Sequence, residues 1–423
     1  MPGRRSFKAY SEYWRNTERN RILSVSNHTC FPVSAGGHQR IFNINSELMR
    51  FGFSILQFSE AVRKSEMTKL RSLGFDIAAD FFELHHFRPF FQAANVSLER
   101  KHLPPLFFSR HSERAWSNHR LKRHIPAADI LIIEHPWLFP APETGVGNRI
   151  PVVQNSHNIE YDLFDQMLDT RRLRRHLTEI FAAEKRAFQS ASANLVCSEL
   201  DRQRAIELYD ADENNIHVIP NGVTVPARRQ LDRSGQSRLR KQHGIRDIPT
   251  LLFVGSAHPP NVAGMRKLLS LFDNSAQQDF QLLVLGDAAS SLPPALADWV
   301  VPIGRVEALD DWFQMADIAL NPVLEGGGTN IKMLDYMAQS TPIISTPMGA
   351  RGLGMTAGVE AEIVEIQAFP ATIRALLPDH ERQRELAERA WALAQQQFSW
   401  HPIAARMAGI LDHLIQPSDA NPQ

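Results

Sequence analysis

Short apolar runs bounded by turn residues alternate with segments of helical period along almost the whole chain, in two successive series. Such alternation points to parallel sheets, because parallel neighbours need crossover connections and helices supply them. The first series comprises Ile22–Ser26, Ser54–Phe58, Ile130–Ile133, Pro151–Val153, Asn194–Cys197 and His217–Ile219. Between its first two runs, Ile41, Ile44, Leu48 and Met49 fall at helical spacing, and Gly52 offers a C-terminal stop. Residues 162–190 also read as helix, rich in Arg and Glu with Leu, Ile and Phe on one side. The second series comprises Leu251–Val254, Leu282–Leu285, Val300–Ile303, Ile318–Leu320, Ile343–Ser345 and Glu362–Val364. Leu309, Trp312, Phe313 and Ala316 mark a helix before Ile318, and Pro370 to Ile415 reads as helices containing Trp391 and Trp400. A chain of 423 residues is too long for one ordinary core, so two α/β domains are expected. The polar, basic stretch Pro226–Gly244 has no sheet pattern and is the candidate connection between them.

Composition closes off several classes. With 43% hydrophobic and 22% charged residues the chain reads as an ordinary globular protein. Its formal net charge is zero, which gives no support to a nucleic-acid partner. Cys30 and Cys197 each fall at or beside a strand-like run and read as small core hydrophobes, in keeping with a reducing compartment. Met1–Arg21 lacks the apolar stretch of a signal peptide, and no run approaches the roughly 18 apolar residues that would span a bilayer. A cytoplasmic location is expected.

Residues 60–127 are too long for a single crossover. They combine Phe81, Phe82, Phe87, Phe90, Phe91, Phe107 and Phe108 with Arg88, Arg100, Lys101, Arg110, Arg120, Lys122 and Arg123. A buried aromatic cluster under solvated charges is the favoured reading. The alternative is an acceptor surface, or peripheral membrane contact through 80–124 at the inner membrane face, since Phe beside Arg and Lys suits an anionic lipid interface.

The segment Pro322–Leu353, PVLEGGGTNIKMLDYMAQSTPIISTPMGARGL, is the most informative chemically. A strand ends near Asn321, three glycines follow, and a helix should start near Asn330 or Ile331. Glycines let a backbone approach a ligand closely, and a helix N-terminus offers unpaired N–H groups to a phosphate. Lys332 stands in the first turn, where the helix dipole disfavours a cation, so its position calls for an anion. Asp335 follows at i+3 and can face the same way; a carboxylate there can hold a ribose diol. The competing reading is a plain strand–turn–helix corner with a surface salt bridge between Lys332 and Asp335. Asp210-Ala211-Asp212 could hold a divalent metal, but it falls in a polar turn ahead of His217–Ile219, and no Cys/His ligand spacing appears. No catalytic metal and no cofactor are expected. Neither half has Gly-x-Gly-x-x-Gly after its first strand, which argues against a dehydrogenase.

These strings, in this order and spacing, resemble glycosyltransferase family 4. The resemblance rests on Phe253-Val254-Gly255, Leu285-Gly286, Ala316-Asp317-Ile318, the glycine corner with KMLDYMA, and PIISTPMGARGL. Ile219-Pro220-Asn221-Gly222-Val223 resembles the interdomain junction and Phe398-Ser399-Trp400 the closing helix. It covers nearly the whole chain and is weakest at 60–127. It implies a GT-B architecture: two Rossmann-like domains, 1–222 and 223–400, facing across a cleft, with 401–423 returning to the first. It also implies a retaining, metal-independent transferase that moves a sugar from a nucleoside-diphosphate sugar to a glycan, glycolipid or other hydroxyl acceptor, as in bacterial surface polysaccharide synthesis.

Residue roles follow from the same resemblance. The family places two glutamates eight positions apart; Asp335 falls on the second, the ribose position, and Gly327 on the first, the sugar position. Glu325, displaced by two residues, or the backbone N–H groups of Gly328, Thr329 and Asn330 would then serve the sugar. Gly255–Asn261 lacks the family's basic residue for the diphosphate, which leaves His258 and Asn261 as polar candidates and Lys332 as the charge. An exposed loop histidine is the equal competitor for His258. Gly36 and Gly37, in Ser34–His38, resemble a glycine-rich loop before a helix, and His157 in VQNSHNIE matches a histidine that contacts the transferred sugar. Glu160 and Glu199 are further polar candidates. The rivals are a nucleotide-sugar epimerase or phosphorylase of the same architecture, and a catalytically silent sugar-nucleotide-binding scaffold.

Overall fold

The computed structural model describes residues 5–31, 33, 36–60, 74–86, 116, 118–141, 144–167, 171–227, 232–272, 278–293, 296–326 and 328–416. The chain divides into two compact units, Met1–Pro220 with Trp400–Gln423, and Asn221–Ser399.

The first unit carries β1 (Asn20–Ser26), β2 (Phe53–Glu60), β3 (Gly74–Ala78), β4 (Phe81–His86), β5 (Ile130–Ile133), β6 (Val152–Asn155), β7 (Ala193–Val196) and β8 (Ile216–Val218). They form one eight-stranded sheet in the order β3-β4-β2-β1-β5-β6-β7-β8. All neighbours are parallel except β3 with β4. The central strands are buried on both faces, as a helix-covered parallel sheet requires. The helix Gly36–Leu48 and the C-terminal helix Trp400–Ile415 cover one face, with Ile41, Ile44 and Leu48 meeting Ile403, Met407 and Leu411 in one core cluster. A 3-10 turn, Met49–Phe51, follows the first of these, and Gly52 caps that turn in the left-handed region at φ +90°.

Three features of this unit escape a reading of apolar runs. The hairpin-like pair β3 and β4 lies inside 60–127, and Phe81 and Phe82 are buried there. On helix His119–His124, Lys122 and Arg123 are exposed, so the described part of that region matches an aromatic core under solvated charges. Phe87, Phe90, Phe91, Phe107, Phe108, Arg88, Arg100, Lys101 and Arg110 lie outside the described residues. The polar N-terminus contains the helix Phe7–Asn16, capped by Ser6 and anchored by fully buried Tyr10 and Trp14. Among the described residues no helix is long and apolar enough to cross a membrane. The long helix expected at 162–190 is two helices, Glu160–Met167 and Arg171–Ser190.

The second unit carries β9 (Thr250–Val254), β10 (Gln281–Leu285), β11 (Val300–Gly304), β12 (Ile318–Asn321), β13 (Ile343–Ser345) and β14 (Glu362–Ile363). They form a six-stranded sheet in the order β11-β10-β9-β12-β13-β14, all parallel. The order reverses beside β9, which creates a switch point at the carboxyl ends of β9 and β12. The stretch read as a connection, Pro226–Gly244, holds the helix Arg233–Gln242, and this helix packs inside the second unit through Leu239 and Arg240. Its low apolar content hid it.

Candidate functional site

In the second unit the switch point is built by close backbone approaches. A β-carbon on Gly264 would lie 2.3 Å from the Pro322 carbonyl oxygen, so helix Pro259–Leu269 sits directly against the segment leaving β12. Gly255 follows β9, and a β-carbon there would lie 2.7 Å from the Phe253 ring and 3.4 Å from Asn261. After β12, Gly326 and Gly328 have φ +134° and +64°, conformations that side-chain-bearing residues rarely adopt. The helix that follows starts at Ile331, and Asn330 leads into it with no side-chain cap; the Met333 N–H donates to the Asn330 carbonyl at 3.0 Å, and the Ile331 and Lys332 N–H groups precede it at the helix start. Thr329 accepts a hydrogen bond from Asn221 Nδ2 at 2.8 Å, which anchors the end of the glycine turn. Gly327 lies outside the described residues.

Lys332 and Asp335 sit one turn apart on this helix, and no ion pair joins them among the described residues. The surface salt bridge of the competing reading is therefore not formed. Lys332 Nζ instead donates to Asn261 Oδ1 at 2.5 Å and lies 4.4 Å from the centre of the Phe253 ring. Asn261 is held in turn by its Nδ2 donating to the Ser256 carbonyl at 3.2 Å. Burial pushes Lys332 down to about 7 and Asp335 up to about 7, each being desolvated without a compensating opposite charge. Such a pair of strained ionisable groups is what a ligand of complementary chemistry relieves. His258 is exposed, as the competing reading had it, and leads the helix Pro259–Leu269 without capping it; desolvation, and then the nearby Lys332 charge, lower its pKa. Glu325 is exposed just ahead of the glycine turn. Arg266 donates to the Ser291 carbonyl at 3.2 Å.

In the first unit the polar residues again gather at carboxyl ends of neighbouring strands. Helix Gly36–Leu48 begins at Gly36, so Gly36 and Gly37 lie in its first turn rather than in a loop before it. A β-carbon on Gly37 would lie 3.3 Å from His157 Nδ1 and 3.4 Å from His28 Nε2. His157 follows β6, and its Nε2 is 2.9 Å from Glu134 Oε2, which follows β5. Burial, then the Arg40 charge, lowers His157 to about 3, while burial pushes Glu134 up to about 7. The imidazole therefore stays neutral. With Glu134 ionised, His157 Nε2–H donates to the carboxylate and Nδ1 is left as an acceptor toward Gly37. Glu160 is buried at the start of helix Glu160–Met167, where burial and the charge of Glu184 raise it to about 8. Glu199 opens the helix Glu199–Tyr209 and pairs with Arg202 at 3.0 Å, a surface role. Asp210 ends that helix at φ +53° and Asp212 caps the next turn, so the Asp-x-Asp string has local structural roles. Cys30 and Cys197 are both buried and unbridged.

Several members of these sites were not singled out from the sequence. Arg351 donates to the Gly326 carbonyl at 3.5 Å, bringing a second cation to the glycine turn from the loop after β13. In the first unit His28, His38 and His135 pack ring to ring near His157, with centroids 4.8–5.2 Å apart for neighbouring pairs. The usable signal was topological: His28, His135 and His157 each come two residues after a strand, on the adjacent strands β1, β5 and β6.

Comparison with known proteins bears on the family and the fold. Residues 68–225 match the model for "Glycosyltransferase Family 4", and residues 248–379 that for "Glycosyl transferases group 1". Among curated proteins, the D-inositol 3-phosphate glycosyltransferase of Xylanimonas cellulosilytica is 25% identical over 250 residues, 54% of this chain and 58% of that protein. The protein so named from Kineococcus radiotolerans is 24% identical over 264 residues, 55% of this chain and 60% of that one. The chain thus matches less than two thirds of the length of these relatives. Sucrose-phosphate synthase from Thermosynechococcus elongatus superposes with a TM-score of 0.69 at 17% identity, over 94% of this chain and 99% of that one. Anabaena HepE, solved with UDP, gives a TM-score of 0.66 at 15% identity over 93% of this chain and 100% of its own. At such identities the structural likeness is one of fold, the GT-B fold with two parallel-sheet α/β domains. The two family models and that fold together place the chain in glycosyltransferase family 4.

Proposed function

We propose that this protein is a retaining glycosyltransferase that takes a sugar from a nucleoside diphosphate and attaches it to an acceptor hydroxyl, without a metal. The observation that carries the reading is the Lys332–Asp335 pair, desolvated and without an ion pair among the described residues, beside a helix N-terminus that has no side-chain cap. Each group has a natural partner in a nucleoside diphosphate: the diphosphate for Lys332 and the helix N–H groups, the ribose diol for Asp335. The neighbours solved with UDP and UDP-glucose favour uridine as the base.

As the glycosidic bond breaks, negative charge grows on the departing diphosphate. Lys332, fixed by Asn261 and the Phe253 ring, is already oriented to stabilise that charge. Arg351 adds a second cation at the Gly326 end of the turn. Gly255, Gly328, Thr329 and Asn330 supply the close backbone approach, and His258 and Asn261 polar contacts. Glu325, or the N–H groups of Gly328–Asn330, binds the sugar hydroxyls. In the first unit, Gly36 and Gly37 admit a ligand to the helix N-terminus, and neutral His157 offers Nδ1 to a hydroxyl of the transferred sugar or acceptor. The names of the curated relatives favour a phosphorylated polyol acceptor over a long glycan.

The test is a product assay with UDP-, GDP- and ADP-sugars and hydroxyl acceptors including D-inositol 3-phosphate, with the anomeric configuration read by NMR. A glycoside with the donor's configuration is expected. An inverted product overturns the retaining reading, and sugar isomerisation without acceptor favours an epimerase. The exposed Glu325 and the glycine at 327 favour one second reading, a silent scaffold, for which nucleotide binding without any turnover is the outcome.

A further inference from the structure

The second unit holds a cavity of about 320 Å³ at the edge of its sheet opposite the glycine turn. Asp317, just before β12, and Thr341, two residues before β13, line it, so it opens at the amino ends of the strands whose carboxyl ends carry the candidate site. Arg233, His380 and Arg384 also line it. Neither arginine has a carboxylate partner among the described residues: the Arg233 guanidinium abuts the His380 ring, and Arg384 makes no ion pair. The two acids present are committed elsewhere. Asp317 accepts from Arg240 Nη2 at 2.7 Å and from the Thr250 N–H at 2.6 Å, and Asp232 accepts from the Gly235 N–H at 2.8 Å. A second observation is independent of charge: Thr341, a lining residue, is 2% exposed, and its enclosed hydroxyl has no hydrogen-bond partner among the described residues. A buried hydroxyl left unpaired is costly, and rotation of the Thr341 side chain toward a ligand oxygen in the cavity would relieve it.

We propose that this cavity is a second ligand site, separate from the nucleotide corner, for a small phosphate-bearing molecule. Phosphate matches planar guanidinium donors, and the two arginines approach from different helices, Arg233–Gln242 and His380–Leu393. The volume suits a molecule of sugar-phosphate size. The site also touches the donor corner's own helix: Ile331–Ala338 starts at the glycine turn, and its next residues, Gln339 and Ser340, line the cavity. Occupancy here therefore bears on the same element that positions Lys332 and Asp335.

The experiment is calorimetric titration of the full chain with inorganic phosphate and with glucose 6-phosphate, at low and at moderate salt. Proteins compared are wild type, Lys332→Ala, Arg233→Gln with Arg384→Gln, and Thr341→Val. The site is expected to bind glucose 6-phosphate in wild type and in Lys332→Ala alike, more weakly as salt rises, and at least tenfold more weakly in the double arginine variant. Thr341→Val is expected to keep the wild-type melting temperature, since a methyl replaces an unpartnered hydroxyl, while binding weakens several-fold. Absence of binding by both probes in folded wild type overturns the proposal. So does binding that vanishes in Lys332→Ala and survives in the double variant, because the anion then sits at the nucleotide corner.

Discussion

At the residue scale, the account rests on what burial does to two side chains. Asp335→Ala is expected to weaken nucleotide binding and Lys332→Ala to lower turnover by about 10²–10³-fold, the usual cost of one oriented stabilising group. Steady-state kinetics and equilibrium binding separate the two, and wild-type behaviour from either variant would remove its assignment. Lys332 also sets a pH dependence. Its free pKa is about 7 because burial disfavours the ammonium, whereas a bound diphosphate favours it. Binding above neutrality thus takes up a proton, and UDP affinity should fall by up to about tenfold per pH unit as pH rises from 7 to 9. The slope should disappear in Lys332→Gln; an unchanged slope in that variant would show that another group titrates. Lys332 and Asp335 were legible in the sequence because a cation in a helix's first turn is an electrostatic anomaly. The histidines around His157 were not, since their significance lies in which strand ends are neighbours, and strand order is not written locally; Arg351 stood inside PIISTPMGARGL, but nothing local tied it to the glycine turn.

At the scale of elements, legibility followed apolar content. Each run of the two series became a strand within a few residues, because strands buried on both faces must be apolar throughout. The helices Phe7–Asn16 and Arg233–Gln242 were missed since one buries only Tyr10 and Trp14 and the other only Gly235 and Arg240. Strands β3 and β4 lay among charges and histidines, including Glu83, a buried carboxylate that accepts from the Cys30 and Phe31 N–H groups at 2.7 and 3.0 Å. Glycine packing gives a test at this scale. Gly264→Ala places a β-carbon against the Pro322 carbonyl and should cost about 1–3 kcal/mol. Gly147→Ala meets nothing within 4 Å and should change stability by less than about 0.5 kcal/mol. Chemical denaturation measures both, and equal effects would contradict the close helix–strand approach.

At the scale of the whole molecule, the two units have separate cores, and the first is assembled from both ends of the chain. Trp400, Ile403, Met407 and Leu411 belong to that first core. Ending the chain after Ser399 should therefore abolish the first unit's unfolding transition in calorimetry while the second unit's remains; two intact transitions would contradict the assembly. The central claim, that the glycine turn, Lys332 and Asp335 hold a nucleoside diphosphate, is tested most directly by thermal unfolding of the full chain with UDP, GDP and ADP, for wild type and Asp335→Ala. At about 100 times its dissociation constant, the right nucleotide should add about 2.7 kcal/mol of stability to the wild type. The account predicts that one nucleotide, UDP, stabilises the wild type and that this is lost in Asp335→Ala. Stabilisation of both proteins alike, or of neither by any nucleotide while both are folded, would contradict it.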